Sequence, residues 1–186
     1  MSVCVHIHRI PWHGWVSAAT SLRQAWVQDD LSIVRPLLSD EDASELRIVP
    51  YTPGWFGRLL GNKPGTLWEP SIEAVTLAVV SEVAVGTSWV YLADGEALAT
   101  QLQSVGFSKA GEILFQAFGK GYDLRDEDPV HPGMEGLMLL APADCSVVAD
   151  ALASSEIDSQ ADTVVAFRSA FVDRAPGQGV AVITDC

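Results

Sequence analysis

Three side chains with metal-ligating chemistry stand two residues apart near the start of the chain: Cys4, His6 and His8, with His13 close behind. In an extended strand, residues i, i+2 and i+4 share a face, so the thiol and both imidazoles line up. Thiolate sulfur and imidazole nitrogen are good zinc donors, and three protein ligands plus a water make a catalytic site. The same pattern fits a half-buried sheet face whose imidazoles are hydrogen-bonded locally. A fourth ligand would have to come from elsewhere, and His131 is the only distant histidine. Val3, Val5 and Ile7 alternate with these residues, so a strand over residues 3–10 must position them.

The second group is acidic. Asp123, Asp126, Glu127 and Asp128, with Glu135, lie in a polar stretch of about 122–136. Carboxylates suit calcium, but the spacing of a calcium-binding EF-hand loop is missing. An exposed acidic loop that meets a partner is expected instead. The third group is aromatic. Trp55 and Trp68 fall in residues 50–70, where Pro50, Pro53, Gly54, Gly57, Gly61, Pro64, Gly65 and Pro70 predict a long irregular loop with one helical turn at Trp55–Leu60, after a short strand at Arg47–Val49 that Pro50 ends. Loop tryptophans either anchor interfaces or fold over the core. No phosphate-cradling GxxxxGK[ST] loop and no GxSxG nucleophile elbow occurs. Neither Cys4 nor Cys145 carries a nucleophile signature.

Charge sets the class of partner. The 186 residues hold Lys+Arg 11 against Asp+Glu 24, a formal net charge of −13. Residues 1–70 are near neutral, with six basic and seven acidic residues; residues 71–186 hold five and seventeen. Phosphate backbones and anionic lipid would be repelled, so neither nucleic acid nor a membrane surface is an expected partner. A basic protein would be attracted. Three cysteines without a CxxC pair, and no basic segment leading into an apolar one, point to a reducing cytosol. The longest apolar stretch, Ile72–Val85, is interrupted by Glu73, Thr76, Ser81 and Glu82 and is too short to span a bilayer.

The remaining elements follow from periodicity. Pro11-Trp12-His13-Gly14 reads as a turn, and residues 20–38 as a helix disturbed by Pro36. Ile72–Val83 presents a helical stripe, although its β-branched content also suits a buried strand. Residues 88–92 read as a strand, followed by a helix carrying Leu98 and Leu102 that Gly106 stops. Further helices are expected over 108–118, from Asp144 to Leu152, and behind a Ser159–Asp162 capping box. Short strands are expected at 136–140 and 179–183. Helices and strands mix without strict βαβ alternation, which predicts a single α+β domain over 1–186 with one mixed or antiparallel sheet flanked by helices.

Two stretches carry a resemblance in layout. Trp89-Val90-Tyr91-Leu92-Ala93-Asp94-Gly95-Glu96 with the Leu98/Leu102 helix, and Phe167-Arg168-Ser169-Ala170-Phe171 with Gly179-Val180-Ala181-Val182-Ile183, resemble the YfbM-type family of small uncharacterised bacterial proteins. The likeness covers about a quarter of the chain, and the amino-terminal half departs from it. It implies a cytosolic mixed α/β bacterial protein and carries over no catalytic residue.

The resulting expectation is a cytosolic, non-enzymatic module that binds a basic protein and needs no cofactor, as a bacterial immunity protein binds a toxin. Asp123, Asp126, Glu127, Asp128, Glu135, Trp55 and Trp68 form the expected contact set. The alternative is a small metal-dependent enzyme holding zinc on Cys4, His6 and His8.

Overall fold

The alternation at the start of the chain does form a strand, and that strand is central. A computed structural model describes residues 3–59, 64–119, 137–157 and 161–185. Strand β1 (Cys4–Pro11) pairs antiparallel with β4 (Gly86–Tyr91) on one side and β6 (Gln178–Asp185) on the other; β5 (Leu137–Leu140) pairs antiparallel with β6. The order β4-β1-β6-β5 makes a four-stranded antiparallel sheet with β4 and β5 at its edges. Helices flank it: the fold is α+β, as the mixed pattern predicts.

Backbone contacts divide the chain into two compact units, Met1–Val16 with Val83–Cys186, and Ser17–Glu82. In the first, α5 (Leu92–Ser104), α6 (Ser108–Gly119), α7 (Pro142–Ser154) and α8 (Asp162–Phe171) share one apolar cluster with the sheet. Val5 and Ile7 of β1, Val90 of β4 and Val180 and Val182 of β6 enter it from the strands; Leu102, Leu114, Leu152, Phe167 and Phe171 enter from the helices. Phe167 lies at the aromatic centre, 5.4 Å from the Phe118 ring and stacked at 6.0 Å on Phe171. Gly95 is required here, because a Cβ would lie 2.6 Å from the Phe118 ring. Gly106 ends α5 at φ +97, a conformation that glycine adopts without strain.

The second unit contains most of α1 (Trp12–Gln28), two 3₁₀ turns (Leu31–Ile33 and Arg35–Leu37), α2 (Asp40–Glu45), β2 (Arg47–Tyr51), α3 (Trp55–Leu59), β3 (Gly65–Glu69) and α4 (Ile72–Val83). Two sequence expectations change here, and one open alternative is decided. The turn expected at Pro11–Gly14 is instead the end of β1 and the beginning of α1, and the helix expected over 20–38 ends at Gln28 and gives way to two 3₁₀ turns, the second of which contains Pro36. The helical turn expected at Trp55–Leu60 is α3, but the short strand expected at Arg47–Val49 runs on through Pro50 to Tyr51 and pairs with β3 as a hairpin, with Pro50 opposite Thr66, where continuous loop is expected. Proline is tolerated in such a two-stranded ribbon, where each strand has an unpaired edge. Ile72–Val83 is helix, burying Val75, Thr76, Val79 and Val80 on one stripe. Ser71 Oγ accepts the Ala74 N–H at 3.4 Å at its start.

Candidate functional site

β1 has two unlike faces. Val5 and Ile7 enter the helix-covered core. Cys4, His6 and His8 point to the opposite face, as their spacing requires. Cross-strand register brings the neighbours of that face into line: Tyr91 opposite Cys4, Trp89 opposite His6 and Thr87 opposite His8 on β4, with Ile183 and Ala181 on the β6 side. Directly opposed residues of an antiparallel pair lie on one face with their Cβ atoms about 5 Å apart. The face therefore carries a thiol, two imidazoles, a hydroxyl and two large aromatics.

The two imidazoles differ. The His6 and His8 rings lie 6.2 Å apart at 28°. His8 is 9% exposed, and its Nδ1 and the Thr87 hydroxyl share a 2.9 Å hydrogen bond whose donor follows the imidazole tautomer. Burial pushes the His8 pKa below the ordinary histidine value, and the neighbouring His6 charge pushes the same way. His8 is thus a neutral, hydrogen-bonded core imidazole at pH 7. His6 and Cys4 are half-buried, and Cys4 is a free thiol. Among the described residues no three His, Cys, Asp or Glu side chains form a group that could hold a metal ion. His13 is exposed in the first turn of α1.

Trp89 and Tyr91 are the open part of this face. They are 58% and 43% exposed and meet edge-on at 5.6 Å. The sequence predicts a strand here and marks neither ring as a contact residue. The signal was the alternation Thr87-Ser88-Trp89-Val90-Tyr91, in which only Val90 belongs to the core; that β4 is an edge depends on strand order, which periodicity does not contain.

The other expected contact residues separate. Asp123, Asp126, Glu127, Asp128 and Glu135 lie outside the described residues. Trp55 is 76% exposed on α3. Trp68 is 5% exposed in β3, edge-on to Trp26 at 5.6 Å, and its indole N–H has no hydrogen-bond partner among the described residues. It is a packing residue of the hairpin, because a strand side chain at this register turns inward instead of standing in a loop.

Two further features are structural. Burial raises the Cys145 thiol to about 12 despite the nearby Arg174, and its S–H donates to the Leu140 carbonyl at 3.5 Å. Such a thiol is a poor nucleophile. A groove of about 480 Å³ runs beside α7, lined by Pro142, Ser146, Asp150, Phe171 and Arg174 among others. The Arg174 guanidinium is engaged in fastening the backbone there: it donates to the Gln178 and Pro142 carbonyls at 3.0 and 3.1 Å and to Ser146 Oγ.

No family model, curated protein or solved structure matches this chain.

Proposed function

We propose that the protein is a non-enzymatic cytosolic module that binds a basic partner protein, with a bacterial immunity protein against a basic toxin as the concrete form. The observation that carries this reading is the exposed Trp89–Tyr91 pair on an edge strand. Large aromatics held rigidly at a surface are the side chains most enriched at binding hot spots. The net charge of −13 supplies the second half of the argument, steering a cationic partner toward the molecule at a rate that falls with salt. The acidic residues Asp123, Asp126, Glu127, Asp128 and Glu135, and Trp55, belong to the same reading as auxiliary contacts. The layout likeness to the YfbM-type family accompanies it and assigns no residue a role.

The test is affinity capture from the host lysate at low and moderate salt. A single basic protein is expected at stoichiometric level, weakened by salt and lost from the Trp89→Ala/Tyr91→Ala double variant. A bare column at low salt, or capture indifferent to both salt and the double variant, overturns the reading.

A second reading keeps the metal-dependent enzyme. Its support is the shared, closely spaced placement of His6 and His8 with Cys4 on one strand face. It predicts stoichiometric zinc in untagged protein, lost in the His6→Ala/His8→Ala variant; metal-free wild-type protein that ignores added zinc dismisses it.

A further inference from the structure

We infer that the partner is held by strand addition: an extended basic segment of the partner pairs antiparallel with the open edge of β4, laying alternate cationic side chains across Trp89 and Tyr91. This inference rests on the protein-binding reading and specifies its mode.

The backbone supplies the first argument. The Leu92 N–H donates to the Val3 carbonyl at 3.0 Å, continuing the register in which Tyr91 opposes Cys4. In an antiparallel ladder, bonded and non-bonded opposed pairs alternate. Ser88 and Val90 therefore turn their N–H and C=O groups toward β1, while Thr87, Trp89 and Tyr91 turn theirs outward. β4 is terminal in the sheet, and none of these three residues has a further backbone partner among the described residues. The row is a ready template for another strand.

The sequence of the edge supplies the second. Proteins blunt exposed edges with charge, proline or very short strands. β4 reads Gly-Thr-Ser-Trp-Val-Tyr over six residues and has none of these devices. The opposite edge, β5, has four residues, three of them buried. Thr87, Trp89 and Tyr91, whose polar groups face outward, also carry the exposed side chains of the strand. Backbone pairing and aromatic contact are therefore available to one ligand strand together.

Charge selects the occupant. Asp94 and Glu96 follow β4 in the first turns of α5. Asp162 opens α8, whose Thr163 hydroxyl donates to Asp94 Oδ2 at 3.4 Å, so carboxylates cluster at the Tyr91 end. None of the three has an ion-pair partner among the described residues. At the other end the Arg9 guanidinium lies against Gly86. The net charge of −13 favours a cationic segment over an anionic one, and indole and phenol faces attract guanidinium and ammonium groups directly. A second copy of this chain would bring another net charge of −13, and this like-charge repulsion argues against edge-to-edge pairing of two copies.

The probe is a labelled, end-blocked six-residue peptide of alternating arginine and valine, titrated against the whole protein at low salt. Fluorescence anisotropy reads binding, and amide hydrogen exchange reads the edge. Saturable binding is expected. Exchange of the Thr87, Trp89 and Tyr91 amides should slow tenfold or more at saturation, with Ser88 and Val90 unchanged. N-methylation of the arginine nitrogens, which face the edge when the arginine side chains cover the rings, should weaken binding at least tenfold; N-methylation of the valines should not. The Trp89→Ala/Tyr91→Ala variant should weaken it similarly while the protein stays folded. Equal binding of the two methylated peptides without edge protection overturns strand addition and leaves the protein-binding reading standing. Absence of binding at millimolar peptide overturns strand addition too, whereas the protein-binding reading fails only with the lysate capture. Edge amides protected in protein alone, increasingly with its concentration, would identify a second copy as the occupant and also overturn the inference.

Discussion

The two faces of the four-stranded sheet are built from the same strands and do different work. On the helix-covered face Val5, Ile7, Val90, Val180 and Val182 meet α5–α8 in a wholly apolar cluster. On the other face β1 and β4 present Cys4, His6, His8, Thr87, Trp89 and Tyr91. Because side chains alternate with period two, one strand can serve both faces without compromise, and a one-residue slip would exchange them. Burial on the first face holds the molecule together. The second face can therefore carry the exposed rings of Trp89 and Tyr91, which contribute little to stability.

The largest test of that division removes a ring from the core. Phe167 is fully buried between Phe118 and Phe171, so Phe167→Ala should cost about 3–5 kcal/mol, read as a lowered urea midpoint with little change in slope. A loss below about 1 kcal/mol would mean that the helix-covered face is not where stability resides.

How far the comparison is legible in the sequence depends on which forces are local. The alternation of β1 shows both faces directly, because Val5 and Ile7 against Cys4, His6 and His8 is a period-two signal. The helices around Leu98, Leu114 and Phe167 are legible for the equivalent reason at period 3.6. Ile72–Val83 is ambiguous from composition alone, since β-branched residues suit strands; helical burial of Val75, Thr76, Val79 and Val80 decides it. The start of β2 at Arg47–Val49 is legible, but its continuation past Pro50 and its pairing with β3 are concealed by Pro50, Pro53, Gly54, Gly61 and Pro64, whose turn propensity outweighs the short alternation on the far side. The edge position of β4 is not legible at all, because it follows from the pairing of Cys4 with Tyr91 across more than eighty residues. The candidate site was accordingly half visible: its histidines and thiol from spacing, its aromatic edge only from topology.

The next test contrasts two thiols. Cys145 is fully buried, with its pKa pushed up to about 12, while Cys4 lies half-exposed on the other face. In a Cys186→Ser background, an uncharged thiol reagent at pH 8 should modify Cys4 at least a hundredfold faster, equivalent to about 2.8 kcal/mol, with Cys145 reacting only on opening. Equal rates would show that the helix-covered core opens as readily as the exposed face, and the contrast would fail.

His8 gives a smaller effect with a defined sign. Its folded-state pKa is depressed, chiefly by burial, so the unfolded chain binds the proton more readily. Its stabilising contribution is fully present above the ordinary histidine value of about 6.5 and is lost as pH falls through the folded value. The slope attributable to one such group is at most about 1.4 kcal/mol per pH unit. Urea midpoints of the wild type should drop between pH 7.5 and 5.5 more than those of His8→Gln. Parallel curves for the two proteins would remove His8 from the partly buried, polar side of the comparison.

The smallest expected effect on stability is the most informative about function. Trp89 and Tyr91 contact each other and solvent, so replacing both with alanine forfeits about 0.5–1 kcal/mol of aromatic pairing and strand preference. If the outer face is a binding surface, that near-neutral change in the urea midpoint should accompany loss of partner capture. A stability loss approaching that of Phe167→Ala would instead make the rings structural. It would place them with the core despite their exposure, and the two faces would then differ in accessibility but not in role. The discriminating quantity is therefore the ratio of binding loss to stability loss in one double variant, because the core face predicts a low ratio and an exposed edge built for a partner predicts a high one.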